Sequence, residues 1–288
     1  MPEKKKINKY NAQEMENLIN DFHLNGFTII GKKFTFNNKI IADLKKEIDN
    51  LFHVEDWRGG WEGKEEYMED NKMLNNGARR LSNLINKSDV FLNLISIDIV
   101  NNFCQSIFKD GYHIGGVDAR EPLKGFGEQS LHQDWFPTKN PLNVENVIGF
   151  VFLDKSNKQN GSLRLVPKTQ SKKGWISDYI EDTNLIHPEQ RFINAESGDI
   201  LMMNGSLWHS GSKNINGKRR RVIYIDYRSK NIPQLLNQKK YLSKTKINSL
   251  PDKLREILRV RDEDKILDHK TFTTGDYCRK NNIFWPKG

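Results

Sequence analysis

The feature that most limits what this chain can fold into is the spacing of its short apolar runs after Gly111. The segment before His132 is followed by VIGFVFL (147–153), SLRLVP (162–167), DILMMN (199–204) and VIYIDY (222–227). Between them lie the turn pairs Asn160-Gly161, Gly198-Asp199 and Asn204-Gly205. Regular short strands with such punctuation predict an antiparallel sandwich or barrel. The longest run, Val147 to Leu153, is far too short to span a bilayer. Before Gly111 the texture is helical. Met15, Leu18, Ile19 and Phe22 recur at helical spacing over Ala12 to Asn25, Gly26 stops that helix, and FTII (27–30) reads as a strand. Ile40 to Phe52 is a second amphipathic helix, and Val54 to Arg79 reads as a long loop. Ser88-Asp89 can cap a helix beginning near Val90, and another helix runs from Val100 to Phe108. Beyond Ser229 the chain turns polar and helical again, with Ser249-Leu250-Pro251 opening a helix through Val260. The expectation is one domain over 1–288: a helical N-terminal flank (1–110), a β core (111–229) and a C-terminal flank (230–288).

Charge and cysteine content narrow the chemistry. Lys and Arg number 46 against 37 Asp and Glu, a formal charge of +9. A basic balance can serve nucleic acid or an anionic membrane. Here the lysines are interleaved with acids, as in KKEID and RVRDEDK, and only Lys218 to Arg221 forms a dense cluster. That pattern fits a solvated surface, so no nucleic-acid partner is expected. Cys104 and Cys278 stand far apart in no CxxC arrangement, so any metal must be held by His and carboxylate. The opening MPEKKKINKYNAQEM has basic residues with no apolar stretch behind them, which reads as a cytoplasmic protein. Oligomeric state is not legible.

Two histidines lie in informative places within the β core. In LHQDW (131–135), His132 and Asp134 are two residues apart, and on a strand that spacing presents both to one point. In SLWHSG (206–211), His209 follows 77 residues later (209 − 132), far enough for several strands to intervene before it returns to face the pair. Two imidazoles and one carboxylate on one side of an iron form the facial triad, leaving positions open for a co-substrate and oxygen. An HxD pair alone is common, and a lone core histidine is more often structural than ligating. Lys218-Arg219-Arg220-Arg221 adds weight, because it leads directly into the alternating strand VIYIDY. At least one guanidinium should then point inward, where it needs an anionic partner such as a carboxylate. Alternation alone does not choose among the three arginines.

With these residues in place the chain resembles the phytanoyl-CoA dioxygenase family of Fe(II)/2-oxoglutarate-dependent oxygenases. DFHLNGFTII (21–30), LHQDWFP (131–137), NGSLRLVP (160–167) and SGDILMMNGSLWHSGSKN (197–214) carry the resemblance. It implies a double-stranded β-helix, or jelly-roll, core with flanking helices. It also implies Fe(II) held by His132, Asp134 and His209, with 2-oxoglutarate and O2 as co-substrates. The family's 2-oxoglutarate arginine follows the distal histidine at a short gap, which here selects Arg220 (220 − 209 = 11). The implied reaction hydroxylates a C–H bond of a small-molecule or carrier-linked metabolite and releases succinate and CO2. Desaturation, epoxidation and ring closure share the same chemistry. Alternatives of other kinds are a non-catalytic jelly-roll binding protein and an oxygenase acting on nucleic acid.

Asp134 stands where halogenating relatives have a small residue, which argues against halogenation. The chain departs from the family at Lys168-Thr169-Gln170, expected to alter the pocket mouth, and at Ser210-Gly211-Ser212. Trp135 and Phe136 are candidate pocket walls, and Arg120 is a candidate anchor for an anionic substrate group. The 54–79 loop and the C-terminal flank with Trp285 are candidate lids.

Overall fold

The structure is a computed structural model, and it describes residues 8–55, 77–137 and 143–264. Two stretches expected to form lids, most of 54–79 and the region around Trp285, lie outside the described residues.

The helical flank begins with α1 (Ala12–Asn25), whose first turn is closed by a reciprocal cap between Asn11 and Glu14. It ends at Gly26, whose φ of 83° is the left-handed stop that a residue with a Cβ resists. After β1 (Phe27–Ile30), the Asn37 side chain caps α2 (Asn38–Val54), which buries Ile41, Leu44, Ile48 and Leu51 at helical spacing. Then come β2 (Ala78–Leu81), the one-turn helix α3 (Leu84–Lys87) and α4 (Asp98–Ile107). The helix expected from Val90 is a 3-10 helix over Asp89–Ile95, and Ser88 makes no side-chain cap bond to it.

The β region supplies β3 (Tyr112–Pro122), β4 (Asn146–Phe152), β5 (Leu163–Leu165), β6 (Arg191–Phe192), β7 (Ile200–Asn204), β8 (His209–Gly211) and β9 (Val222–Ser229). They form an antiparallel six-stranded sheet in the order β1-β7-β4-β9-β3-β2 and a three-stranded sheet in the order β6-β5-β8. The large sheet thus takes both edge strands from the region expected to be a helical flank. Beyond β9 lie α5 (Gln238–Tyr241), α6 (Lys244–Ser249) and α7 (Asp252–Ile257). The helix expected through Val260 is cut short, since Arg259 takes a left-handed φ of 53°.

The central strands are buried on both faces, and their alternation sorts residues between two cores. Val147 and Val151, Ile200 and Met202, and Ile223, Ile225 and Tyr227 join the apolar core beneath α1, α2 and α4. Ile148, Phe150 and Phe152, Leu201 and Met203, and Val222 face the other way and pack against Leu163 and Leu165 of the small sheet. This is a double-stranded β-helix in which the two sheets do not close into a barrel. Among the described residues no single helix is long and apolar enough to cross a membrane.

Candidate active site

The segment expected to be a strand before His132 is irregular. His132 pairs only with His209, through mutual backbone bonds of 2.9 and 2.8 Å. The chain then bends, because the amides of Asp134 and Trp135 both donate to the one carbonyl of Gly205 at 2.9 Å. A Cβ on residue 205 would stand 2.8 Å from the Trp135 Cβ and closer still to the Asn146 side chain. Only glycine lets the two segments approach so closely. The shared facing of His132 and Asp134 therefore comes from a bridge and a bend, not from strand alternation.

The result is a tight trio. One ligand atom from each of His132, Asp134 and His209 lies within 4.8 Å of the others. Asp134 Oδ2 stands 3.2 Å from His209 Nε2, and Oδ1 stands 3.7 Å from His132 Nε2. His132 Nδ1 donates to the Ser130 carbonyl at 2.8 Å and His209 Nδ1 to the Leu207 carbonyl at 2.9 Å. Each bond commits Nδ1–H to a carbonyl, so Nε2 is the atom each ring turns to the shared point, where a cation can displace the proton His209 shares with Asp134. His209 is buried, whereas the side chains of His132 and Asp134 open onto a cavity. Burial and the neighbouring His209 push the His132 imidazole down to about 4, so it stays neutral and can donate its lone pair. Burial alone would raise the Asp134 carboxyl, but the two imidazoles outweigh it and hold the group at about 2, ionised. His209 is raised against the pull of burial by the charge and hydrogen bond of Asp134. Two neutral-capable imidazoles and one carboxylate make a donor set suited to a divalent transition metal.

The cavity holds about 390 Å³ and is lined at the trio's end by Ile148, Phe150, Leu163, Gln129 and Arg220. The arginine cluster resolves by alternation. Arg219 reaches Glu121 and Asp49, and Arg221 forms a two-pronged pair with Asp154 and also meets Asp49. Arg220 turns the opposite way into the cavity, is 2% exposed, and keeps Nε and Nη2 without hydrogen-bond partners. Burial lowers it to about 10, against the favourable influence of Tyr224, and it remains a cation at neutral pH.

Other expected residues are placed differently from one another. Arg120 is buried in the cavity wall and donates to the Gly127 carbonyl at 3.1 Å. Trp135 lines the cavity, donates from Nε1 to Glu145 at 3.0 Å and lies under the Arg228 guanidinium. Phe136 is not part of the wall: it packs edge-on between Trp135 and Trp175 in a small apolar cluster, because the bend at 134–135 turns it away. Lys168-Thr169-Gln170 does not reach the mouth either. Gln170 donates to the His23 carbonyl, and Thr169 accepts from the Trp208 amide, so the turn is tied to α1 and the back of the small sheet. The Ser210 hydroxyl accepts from Arg164 Nε, and Ser210 is not among the residues lining the cavity.

Sequence reasoning missed the polar wall made by Asp118, Asn146, Asp226 and Arg228. A signal was present. Tyr224, Asp226 and Arg228 alternate with Ile223, Ile225 and Tyr227, which join the apolar core, so the inner face of β9 changes from apolar to charged along its length.

Comparison with known proteins agrees with this geometry. A family model described as "Phytanoyl-CoA dioxygenase (PhyH)" matches residues 22–222, more than half of the chain. The "Dioxygenase af480" of Aspergillus fumigatus is 23% identical over 179 residues, which are 59% of this chain and 53% of that relative. The match therefore spans about half the length of that curated relative. Among solved structures, HygX from Streptomyces hygroscopicus with nickel and 2-oxoglutarate bound superposes with a TM-score of 0.60 at 14% identity, covering 79% of this chain and 90% of that one. The non-heme alpha ketoglutarate dependent epimerase SnoN from nogalamycin biosynthesis gives a TM-score of 0.60 at 13% identity, covering 76% and 84%. At these identities the two structures establish a common fold.

Proposed function

The chain belongs to the phytanoyl-CoA dioxygenase family, and on that premise we propose that it is an Fe(II)/2-oxoglutarate-dependent dioxygenase that hydroxylates a C–H bond of a small-molecule metabolite. One observation carries the reading. Two imidazole Nε2 atoms and an ionised carboxylate converge in the same cavity as a buried arginine with unused donors. In this reading His132, Asp134 and His209 hold the metal. Bound Fe(II), with 2-oxoglutarate and O2, supplies the oxidation of a C–H bond, coupled to conversion of the keto acid to succinate and CO2.

The chain's own residues do the rest. The backbone bonds from the two Nδ1 atoms keep both imidazoles aimed, so little reorganisation is needed when a cation arrives. Arg220 offers Nε and Nη2, a planar fork that matches the far carboxylate of 2-oxoglutarate bidentately and removes the cost of leaving those donors buried and unused. Ile148, Phe150 and Leu163 form an apolar wall beside the trio that keeps bulk water from the reacting atoms. No protein general base is required.

The test uses purified protein under anaerobic conditions with Fe(II) and 2-oxoglutarate. A weak visible metal-to-ligand charge-transfer band is expected, followed by succinate formation once oxygen and a substrate are admitted. Protein that binds Fe(II) but gives no such band with 2-oxoglutarate would refute the assignment and leave a jelly-roll binding protein.

A further inference from the structure

The cavity extends beyond the metal trio along β3, β9 and β4, and there its wall changes character. Asp118, Asn146, Asp226 and Arg228 lie on it beside Trp135 and Leu235. Asp226 sits in the middle and is fully engaged. Its Oδ2 accepts from Arg228 Nε at 2.7 Å, and its Oδ1 accepts from Asn146 Nδ2. Arg228 also donates to the Pro233 carbonyl at 2.9 Å and lies over the Trp135 ring, so it is anchored in place.

The bond to Asp226 settles which way round the Asn146 amide stands, since a flipped amide would set oxygen against carboxylate oxygen. That orientation leaves Asn146 Oδ1 as an acceptor. The side chain is 2% exposed, and this oxygen is sealed against the Cα of Gly205, so it packs the wall and is not offered to a ligand. On the other side of Asp226, Asp118 Oδ1 accepts from the Asn83 amide at 2.8 Å, while no hydrogen bond is made to Oδ2 among the described residues. The wall therefore presents one unused anionic acceptor, Asp118 Oδ2, beside a saturated carboxylate. Burial raises the Asp118 carboxyl, and Asp226 adds to it, against the lowering influence of the Asn83 amide, Lys87 and Arg80.

We propose that this wall is the substrate subsite, and that it takes a compact amine-bearing polar metabolite whose ammonium meets Asp118. The inference rests on the oxygenase reading above and names the substrate class for that same site. A hydrocarbon chain laid along this wall would dehydrate the Asp118 carboxylate without returning a hydrogen bond. The cavity, at about 390 Å³, lies near the small end of ligand sites, which run from about 300 to 1,000 Å³. It must hold the co-substrate as well, which favours a compact molecule. Ile148, Phe150 and Trp135 then cover the carbon skeleton between the Asp118 contact and the metal trio.

The experiment compares matched probes on enzyme loaded anaerobically with Fe(II) and 2-oxoglutarate: glucosamine against glucose, and 1,5-diaminopentane against pentane-1,5-diol, with octanoate as the acyl control. Perturbation of the charge-transfer band reports binding, and succinate release after admission of oxygen reports coupling. The amine-bearing member of each pair should bind at least tenfold more tightly than its partner, and Asp118→Asn should erase that preference while the unperturbed band persists. Equal binding within the pairs, no binding to any of them, a preference for octanoate, or an Asp118→Asn protein that keeps the preference would each overturn the proposal. Absence of the band in the wild-type protein is a separate outcome. It would instead remove the oxygenase reading on which the proposal stands.

Discussion

The two faces of β9 are made from alternate residues of one eight-residue strand, yet they obey different rules. Ile223, Ile225 and Tyr227 lie beneath the helices in the large apolar core and are completely buried. Val222, Tyr224, Asp226 and Arg228 point the other way, where the environment changes from apolar packing to a polar cavity wall within four alternate positions. The helix face is packed for volume, and its one polar atom is the buried Tyr227 hydroxyl, which has no hydrogen-bond partner among the described residues. The cavity face carries buried polar groups whose partners are partly missing, as with Arg220 just before the strand. Unused hydrogen-bonding capacity in a buried place costs stability, and where it lies on a cavity wall a ligand can satisfy it. The difference between the faces is therefore between residues that hold the fold and residues that wait for something else.

Substitutions on opposite faces should separate these roles. The largest effect is expected at His209→Ala, which removes one of two imidazole donors. The charge-transfer band should vanish, and 2-oxoglutarate turnover should fall by more than about 100-fold, since even residues that only orient metal ligands are worth roughly 10–100-fold. Retention of the band in this variant would break the assignment of the trio. Ile225→Ala, next along the strand to the cavity-lining Tyr224 and Asp226 but on the helix face, should do the reverse. Loss of a fully buried side chain is expected to lower unfolding stability by about 2–5 kcal/mol, read by denaturant titration, with the band intact in the folded fraction. A large loss of metal binding at unchanged stability would show that the two faces are not independent.

What the sequence made legible follows the same division. The apolar period identified α1 to the residue, β4, β7 and β9 closely, and the sandwich as a whole, because core packing writes itself into alternation. Two edge strands escaped. FTII was legible as a strand but not as an edge of the main sheet, and Ala78–Leu81 carries two arginines that mask its pairing with β3. The trio's residues were legible from spacing and resemblance, but the reason they converge was not. It lies in a long-range event, two amides meeting the carbonyl of Gly205, which no local period encodes. The placement of Phe136 failed for the same reason, since a bend that turns Asp134 inward takes its second neighbour out of the cavity. Asp118 and Asn146 were invisible because an isolated polar residue in a strand looks like a solvated one until its partners are known.

Arg220 sharpens the comparison further, because it belongs to the cavity face yet stands between two residues of the opposite kind. Arg220→Met should weaken 2-oxoglutarate by about 30-fold or more, the equivalent of about 2 kcal/mol for losing one partner of a buried charged contact. The same change should leave the melting temperature of the ligand-free protein unchanged or raise it, since it removes buried donors that lack partners. A fall in both would mean that Arg220 serves the fold.

Its neighbour Arg221 predicts the smallest effect, and one that depends on pH alone. Burial would raise the Asp154 carboxyl, but the paired bonds from Arg221 outweigh it and hold the group at about 2, below its ordinary 3.8. The folded state therefore binds this proton less readily than the unfolded chain. The stability it contributes is fully present above the ordinary value and is lost as pH falls from about 4 towards 2. With Asp154 largely buried, that shift corresponds to about 2 kcal/mol. Asp154→Asn should flatten this portion of the acid limb in a plot of unfolding free energy against pH, and should leave the affinity for 2-oxoglutarate as it was. An acid limb identical to that of the wild type would show that the clamp joining β4, β9 and α2 does not hold the fold. A matching loss of co-substrate affinity would show that Arg221, and not only Arg220, answers to the cavity.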